Sequence, residues 1–184
     1  MKRRLSLIIV ILTSFSSLFA QRGKIFSTTT GTINFKSDAP FEMIKASSNE
    51  MAGLLDTDKK TYAFKVKIQS FQGFNSDLQK VHFNENYMQS NLYPDASFSG
   101  KIIEDVDFNK DGQYSVRAKG KLVVHGVSQE RIIKTDLTVR QGKVFAKSAF
   151  TVLLADHSIP IPKVVKDKLA NEIKVDVSAQ LVPR

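Results

Sequence analysis

Hydrophobic and polar residues alternate with a period of two along most of the chain, a pattern typical of strands with one buried face. The pattern is clear in residues 61–69, where the apolar positions are Tyr62, Phe64, Val66 and Ile68. It recurs in residues 96–102, 116–124, 133–139, 144–152 and 173–181, and more weakly in 32–35, 43–47 and 52–55. The chain is therefore expected to form about eight strands.

Each predicted strand has one set of alternate residues that is suited to a core. These sets are Ala96, Phe98, Gly100 and Ile102; Val116, Ala118, Gly120, Leu122 and Val124; Ile133, Leu137 and Val139; Val144, Ala146, Ser148, Phe150 and Val152; and Ile173, Val175, Val177, Ala179 and Leu181. Turn-forming residues separate the strands at 56–60, 109–112, 125–129 and 141–142. The expected fold class is all-β and antiparallel. The period fits a sandwich or a closed barrel, and the strand number favours the barrel.

Two short helices are predicted between the strands. Residues 75–88 begin with an Asn or Ser that can cap a helix, bring Leu78, Val81 and Met88 to one side, and run into Tyr93-Pro94. Residues 163–170 are a shorter candidate.

The first twenty residues have the features of a secretory signal peptide. Three basic residues precede an apolar run, and Ala20 offers a small residue at the cut. The alternative, an uncleaved anchor, is disfavoured because the run is shorter than the roughly 20 residues that span a bilayer. We therefore expect a signal peptide over residues 1–20, one domain over residues 21–184, and a periplasmic or secreted protein with no transmembrane segment after cleavage.

The composition excludes several kinds of site. The chain has no cysteine, so disulfides, thiolate metal sites, a cysteine nucleophile and a lipoprotein anchor are all excluded. The leader holds three of the 27 basic residues, which leaves 24 against 18 acidic ones and a charge of +6. These lysines alternate with acidic residues along strands and form no basic run, so nucleic acid is not expected as a partner.

The three histidines, His82, His125 and His157, are the candidate residues for catalysis. Asp156, His157 and Ser158 are adjacent, but neighbours on an extended chain point in different directions, whereas a nucleophile and its base must meet. Neither a nucleophile elbow nor a paired-histidine helix is present. A site of three histidines around a metal is conceivable, yet we expect no catalytic residues, no metal and no cofactor.

Three segments in order resemble the YceI-like family. The first is HFNENYMQSNLYPDASFSGKI (residues 82–102), with a helical His and Phe, a Tyr-Pro pair and a strand with a central Phe. The second is KGKLVVHGVSQE (residues 119–130), an aliphatic strand that ends at a Gly-Val turn. The third is the loop LADHSIPIPK (residues 154–163) before the alternating last strand. The resemblance covers residues 30–181.

The resemblance implies a lipocalin-like barrel that binds an isoprenoid or another amphiphilic lipid non-covalently, for transport, storage or sequestration. The sequence is compatible with a monomer and with a homodimer. An apolar wall suffices to hold such a chain. The residues then expected to line the lipid site are Phe64, Val66, Ile68, Phe98, Ile102, Leu122, Val124, Leu137, Val139, Phe150, Val152, Ile173, Val175 and Val177. Each would serve equally as core in a packed barrel, so a secreted interaction module with a solid interior is the alternative.

A charged head group would need partners at the mouth of such a barrel, and Lys163, Lys166, Lys168 and Arg131 are the candidates. The chain departs from the family pattern in two places. Ser128, Gln129 and Glu130 follow Val127 where the family often has Thr, a basic residue and Pro. The segment DAPFEMIKASS, residues 38–48, stands where the family has a His-Leu-Gly stretch. The mouth is therefore expected to differ.

Overall fold

The alternating pattern forms eight antiparallel strands in the computed structural model, which describes residues 24–184. The predicted signal peptide lies outside these described residues. The strands are β1 (Ile25–Asp38), β2 (Met43–Asp56), β3 (Thr61–Lys67), β4 (Asp95–Ile102), β5 (Gly112–Val124), β6 (Val127–Arg140), β7 (Lys143–Leu153) and β8 (Glu172–Pro183).

Every strand pairs with the next one along the chain, and β8 pairs with β1, so the sheet closes into a barrel. The prediction of a barrel is confirmed. The two weak runs at residues 43–47 and 52–55 belong to one strand, β2. Its pairing with β1 shifts register near Gly31 and Met51. A shift of this kind changes which alternate residues face inward, so one strand appears in the sequence as two.

The connection between β3 and β4 contains the helix α1 (Asp77–His82), followed by a π turn (Phe83–Tyr87). The Ser76 hydroxyl caps α1 by accepting from the Gln79 backbone N–H at 3.2 Å, as predicted. The predicted apolar side is wrong, because Leu78 and Val81 are exposed and only Met88 is buried.

The second predicted helix, residues 163–170, is reduced to a 3₁₀ turn at Lys163–Val165. Further 3₁₀ turns lie at Ile68–Ser70 and Leu154–His157. Backbone groups of residues 167 and 170 bond instead to the end of β1 and the β1–β2 turn, since the Phe41 N–H donates to the Asp167 carbonyl and the Ala170 N–H to the Ser37 hydroxyl. These bonds take up a carbonyl and an N–H that a helix would pair internally, while the Leu169 N–H still bonds to the Val165 carbonyl four residues before it. Within residues 24–184 no helix is both long and apolar enough to span a bilayer.

The two ends of the barrel differ. At the closed end, Phe108 from the β4–β5 connection is buried against the core that includes Phe26, Val139, Val144 and Leu181. At the mouth end lie the β1–β2 turn, the connection that holds α1, the β5–β6 turn and the connection from β7 to β8. The longest connections are thus at the mouth end, where they frame the opening described below.

The barrel wall is incomplete between β6 and β7. Their ladder runs from Thr135 and Ser148 to Arg140 and Lys143, although both strands extend further toward the mouth end. Arg131 crosses this interval, since its guanidinium donates to the Thr151 carbonyl at 2.9 Å. Arg131, a predicted head-group partner, therefore bonds to the wall of the barrel.

Candidate functional site

The barrel interior contains two adjoining cavities. The outer lobe, toward the mouth end, has a volume of about 250 Å³, and the inner lobe about 110 Å³. Together they reach the lower end of the roughly 300–1,000 Å³ range of ligand pockets. Five residues line both lobes, namely Ile33, Val66, Ala96, Leu122 and Phe150. The lobes are therefore neighbouring parts of one apolar interior.

Thirteen of the fourteen residues predicted for the lipid site lie on the cavity walls. Phe64, Phe98, Ile102, Leu137 and Val177 line the inner lobe, Ile68, Val124, Val152, Ile173 and Val175 line the outer lobe, and Val66, Leu122 and Phe150 line both. Val139 lines neither lobe and belongs to the packed core at the closed end. Ile68 lies just beyond the end of β3, in a 3₁₀ turn, and is still directed inward.

A cluster of four phenylalanines forms the wall of the outer lobe nearest the mouth end. Phe35, Phe71, Phe74 and Phe83 lie with ring centroids 5.1–5.9 Å apart in each contacting pair. None of them was among the predicted site residues. Phe71, Phe74 and Phe83 lie in the β3–β4 connection, where no alternation marks a buried face. The abundance of Phe, 13 residues without one Trp, was the available signal.

The inner lobe contains one unpaired polar group. The hydroxyls of Thr135 and Ser148 lie 2.8 Å apart and satisfy each other. The Tyr62 hydroxyl is buried without a hydrogen-bond partner among the described residues. Its ring packs on Phe98, with centroids 5.1 Å apart. Burial raises the pKa of the Tyr62 phenol well above its ordinary value, so this group is a neutral donor.

Apart from Tyr87 and the buried Ser37 hydroxyl, which accepts from the Ala170 N–H, the polar residues of the outer lobe lie at its rim. Gln79 donates to the Glu42 carboxylate at 2.9 Å, which ties α1 to the β1–β2 turn. His82 and Lys168 also line this lobe, and both are exposed. Of the four predicted head-group partners, Lys168 thus lies at the rim, and Lys163 and Lys166 are exposed on the same segment without lining the cavity.

A histidine cluster holds together another part of the mouth end. His125 Nδ1 donates to the His157 carbonyl at 3.1 Å, and His125 Nε2 lies 3.2 Å from the Gln89 side-chain amide. The Tyr93 ring packs edge-on against His125 at 4.7 Å. His157 is fully buried and its Nδ1 donates to the Val127 carbonyl at 3.1 Å. These contacts pin the β5–β6 turn against the segment before β8.

The adjacent residues Asp156, His157 and Ser158 differ in burial. His157 is buried, whereas Asp156 and Ser158 are exposed, so the His157 ring faces away from both neighbours. Within residues 24–184, no group of three or more His, Cys, Asp or Glu side chains is placed to hold a metal ion.

The arrangement as a whole suits an amphiphilic ligand. The two lobes are lined mainly by aliphatic and aromatic side chains, Glu42 and Lys168 lie at the rim of the outer lobe, and the Lys65 ammonium beside the inner lobe is paired with the Asp95 carboxylate at 3.3 Å. Burying apolar surface in such a cavity is favourable at roughly 25 cal/mol per Å², and a polar head can stay hydrated at the rim. The geometry is that of a binding site with an apolar interior and a polar mouth.

Comparison with known proteins agrees with this architecture. The sequence profile described as YceI-like domain matches residues 14–181. A polyisoprenoid binding domain from Saccharophagus degradans, implicated in plant cell wall breakdown, superposes with a TM-score of 0.74 at 13% identity, covering 88% of this chain and 99% of that chain. Burkholderia cenocepacia BcnA superposes with a TM-score of 0.66 at 11% identity, covering 83% and 96%.

The Campylobacter jejuni YCEI protein is a third similar structure, with a TM-score of 0.58 at 15% identity, covering 74% of this chain and 82% of that chain. Identities this low establish a shared fold. No match was found among curated proteins.

Proposed function

The chain belongs to the YceI-like domain family, and on that basis we propose that it binds an isoprenoid or a similar amphiphilic lipid inside its barrel. It acts as a carrier or store and catalyses no reaction. The observation that carries this proposal is the outer lobe of about 250 Å³, lined mainly by apolar side chains and adjoining the inner lobe, with which it shares five lining residues. The solved Saccharophagus degradans domain, which shares the fold, is named as polyisoprenoid binding.

The proposed lipid lies with its apolar tail in the two lobes and its polar end at the rim. The phenylalanine cluster supports this orientation, because Phe35 and Phe83 stack 5.3 Å apart and offer a flat apolar surface beside the mouth. Lys168 is the group at the rim best suited to an anionic head, and His82 can add a hydrogen bond. The residues predicted from sequence, apart from Val139, are the proposed tail contacts.

The proposed location is the periplasm or the exterior, where the amino-terminal leader would direct the chain. A lipid carrier is useful there because a long prenyl chain has a very low solubility in water. The competing hypothesis, an interaction module with a solid interior, requires a packed barrel. The two lobes favour the carrier.

The first experiment is native mass spectrometry of the protein purified from its own envelope fraction, followed by denaturation and identification of any released lipid. A mass excess that leaves as a prenyl lipid supports the proposal. A bare polypeptide that also stays bare after incubation with prenyl lipids contradicts it.

Two matched variants make this experiment specific to the cavity. Ala96 lines both lobes, so Ala96→Phe places a ring at their junction and is expected to reduce bound lipid about tenfold. Ala63 on the neighbouring strand β3 is exposed on the outer face, so Ala63→Phe is the control and should bind as the unmodified protein does. Ala96→Leu, a smaller change, covers the case in which Ala96→Phe fails to fold.

A further inference from the structure

The rim of the outer lobe carries prominent exposed apolar side chains. Among residues 24–184, Val164 and Phe41 are the two most exposed large apolar side chains, at 86% and 78%, and Leu78 is 62% exposed. Exposed apolar residues scattered singly are normal, but a group of them around one opening marks an interaction site. The three residues come from three different segments, so the group is a property of the folded mouth end.

Hydrogen bonds hold these segments beside one another. Phe41 lies on the β1–β2 turn, and its N–H donates to the Asp167 carbonyl at 3.0 Å, close in sequence to Val164. Leu78 precedes Gln79, which bonds to Glu42 on the same turn. Val165, Gln79 and Glu42 all line the outer lobe. Phe41, Leu78 and Val164 are therefore each next in sequence to a residue that lines the outer lobe, and we call these three residues the apolar rim.

Lysines accompany the apolar rim. Lys163, Lys166 and Lys168 are exposed on the segment that holds Val164, and none forms an ion pair with another residue that the structure describes. The acidic groups nearby are Asp167 on the same segment, Asp77 on α1, Glu42 bonded to Gln79, and Asp38 between Lys36 and Lys174. The segment that holds Val164 thus presents three free cations against one carboxylate.

We propose that the mouth end docks on an anionic lipid bilayer, and this proposal rests on the lipid-carrier function proposed above. The apolar rim inserts among the lipid head groups, and the three lysines contact their phosphates. Protruding apolar side chains with adjacent lysines are the chemistry of interfacial membrane binding. The opening of the cavity inside the rim allows a lipid to pass between bilayer and barrel without crossing water.

A bilayer fits this surface better than a protein partner does. The rim consists of side chains that project from two turns and a short helix, whereas the unpaired strand edges that could receive a peptide belong to β6 and β7, which carry none of the rim residues. The rim lysines complement the negative surface potential of an anionic membrane. Each lysine near such a surface raises the affinity for the membrane about fivefold. Binding should therefore require anionic lipid and weaken as salt is raised.

The test is sedimentation of the purified protein with vesicles of phosphatidylcholine alone or mixed with phosphatidylglycerol. The protein should sediment with the mixed vesicles and remain in solution with phosphatidylcholine alone. The double variant Phe41→Ser/Val164→Ser and the triple variant Lys163→Gln/Lys166→Gln/Lys168→Gln should each lose at least tenfold in vesicle affinity, while circular dichroism shows the fold intact.

Matched controls separate this surface from general stickiness and charge. Ile132→Ser removes an exposed apolar residue from the outer face of β6, and Lys101→Gln/Lys119→Gln/Lys121→Gln removes equal charge from the outer faces of β4 and β5. Both should bind vesicles as the unmodified protein does. Equal losses in control and rim variants, or no binding to anionic vesicles, would overturn the docking proposal and leave the rim to a protein partner.

A second readout keeps the two proposals distinguishable. Uptake of a short fluorescent prenyl probe from solution, without vesicles, reports on the cavity alone. Normal uptake without vesicle binding overturns docking and leaves the carrier function standing. Vesicle binding without uptake contradicts the carrier function and leaves docking in place. The Phe41→Ser/Val164→Ser variant should take up the probe normally, and Ala96→Phe should bind vesicles normally.

Discussion

The Tyr62 hydroxyl lies against the backbone of Gly120 inside the barrel, so close that a β-carbon on Gly120 would approach it to 2.8 Å. Gly120 pairs across the sheet with Gly100, which in turn pairs with Tyr62. Two adjacent strands thus lack side chains where the Tyr62 ring needs room. The ring is held by this glycine pair, and its hydroxyl is left without a partner at the inner lobe.

Tyr62→Phe should stabilise the lipid-free protein. Leaving a buried hydroxyl unpaired costs about 1–3 kcal/mol, and removing it offsets that cost at the expense of a small void. We expect the free energy of unfolding at neutral pH to rise by about 1 kcal/mol in urea denaturation. A decrease would indicate that the hydroxyl is satisfied, by water for example.

Alkaline pH should destabilise the protein through the same residue. Burial raises the pKa of Tyr62 above its ordinary value of 10.0, so above that pH the unfolded chain loses a proton that the folded protein keeps. The unfolded state then binds fewer protons, and the free energy of unfolding falls as pH rises. Burial raises the pKa of Tyr87 as well, so Tyr62→Phe should remove part of the pH dependence. An unchanged slope between pH 9 and 11 in the variant would contradict this assignment.

Gly120→Ala should destabilise the barrel by about 1–3 kcal/mol, the usual cost of an overpacked site. The added carbon would lie 2.2 Å from the Ser99 carbonyl oxygen, a backbone atom of the paired strand that cannot rotate away. Adding Tyr62→Phe removes the contact between the new carbon and the Tyr62 hydroxyl, but the contact with the Ser99 carbonyl remains. The double variant should therefore recover only part of the loss in a double-mutant cycle measured by urea denaturation.

The β5–β6 turn should discriminate between substitutions of His125. His125 and Gly126 have φ of 50° and 72°, the left-handed conformation of a two-residue hairpin turn. His125→Asn and His125→Val both lose the bond to the His157 carbonyl, but Asn tolerates this conformation and Val does not. We expect the free energy of unfolding of His125→Val, measured by urea denaturation, to be about 1–2 kcal/mol lower than that of His125→Asn. Equal stabilities would show that the turn relaxes to another form.

Phe83→Ala should open the outer lobe and weaken the fold. Phe83 contacts Phe35, Phe71 and Phe74, so its loss removes three aromatic contacts and should cost about 2–3 kcal/mol in thermal or urea unfolding. The control is Phe41→Ala, an exposed position where the change should stay within about 0.5 kcal/mol. A loss at Phe83 no larger than that at Phe41 would mean that the cluster collapses to fill the space.

Much of the barrel could be predicted from the sequence because a strand directs alternate side chains to opposite faces, and local alternation records which face is buried. The last strand shows this clearly, since Val175, Ala179 and Leu181 are buried while Lys174, Asp176 and Gln180 are exposed. Where the register shifts, as in β2, the local pattern no longer identifies one strand.

Segments outside the sheet were less predictable. Leu78 and Val81 follow a helical spacing that suggests burial, yet both face solvent at the mouth end. Residues 163–170 are predicted to be helical, but the Asp167 carbonyl and the Ala170 N–H bond to Phe41 and Ser37 instead. In each case contacts with a segment distant in sequence determine the local structure, and these contacts cannot be predicted from the local sequence.

The sequence by itself determined the strands, their inward faces and the family, since all three depend on residue order and local chemistry. The tertiary structure alone decided that the interior is hollow, that Phe35 meets Phe71, Phe74 and Phe83, and that Glu42 and Val165, the neighbours of Phe41 and Val164, line the same cavity. A cavity is the volume left between side chains from distant strands. That volume depends on barrel closure and on the register of every strand, which no local pattern specifies.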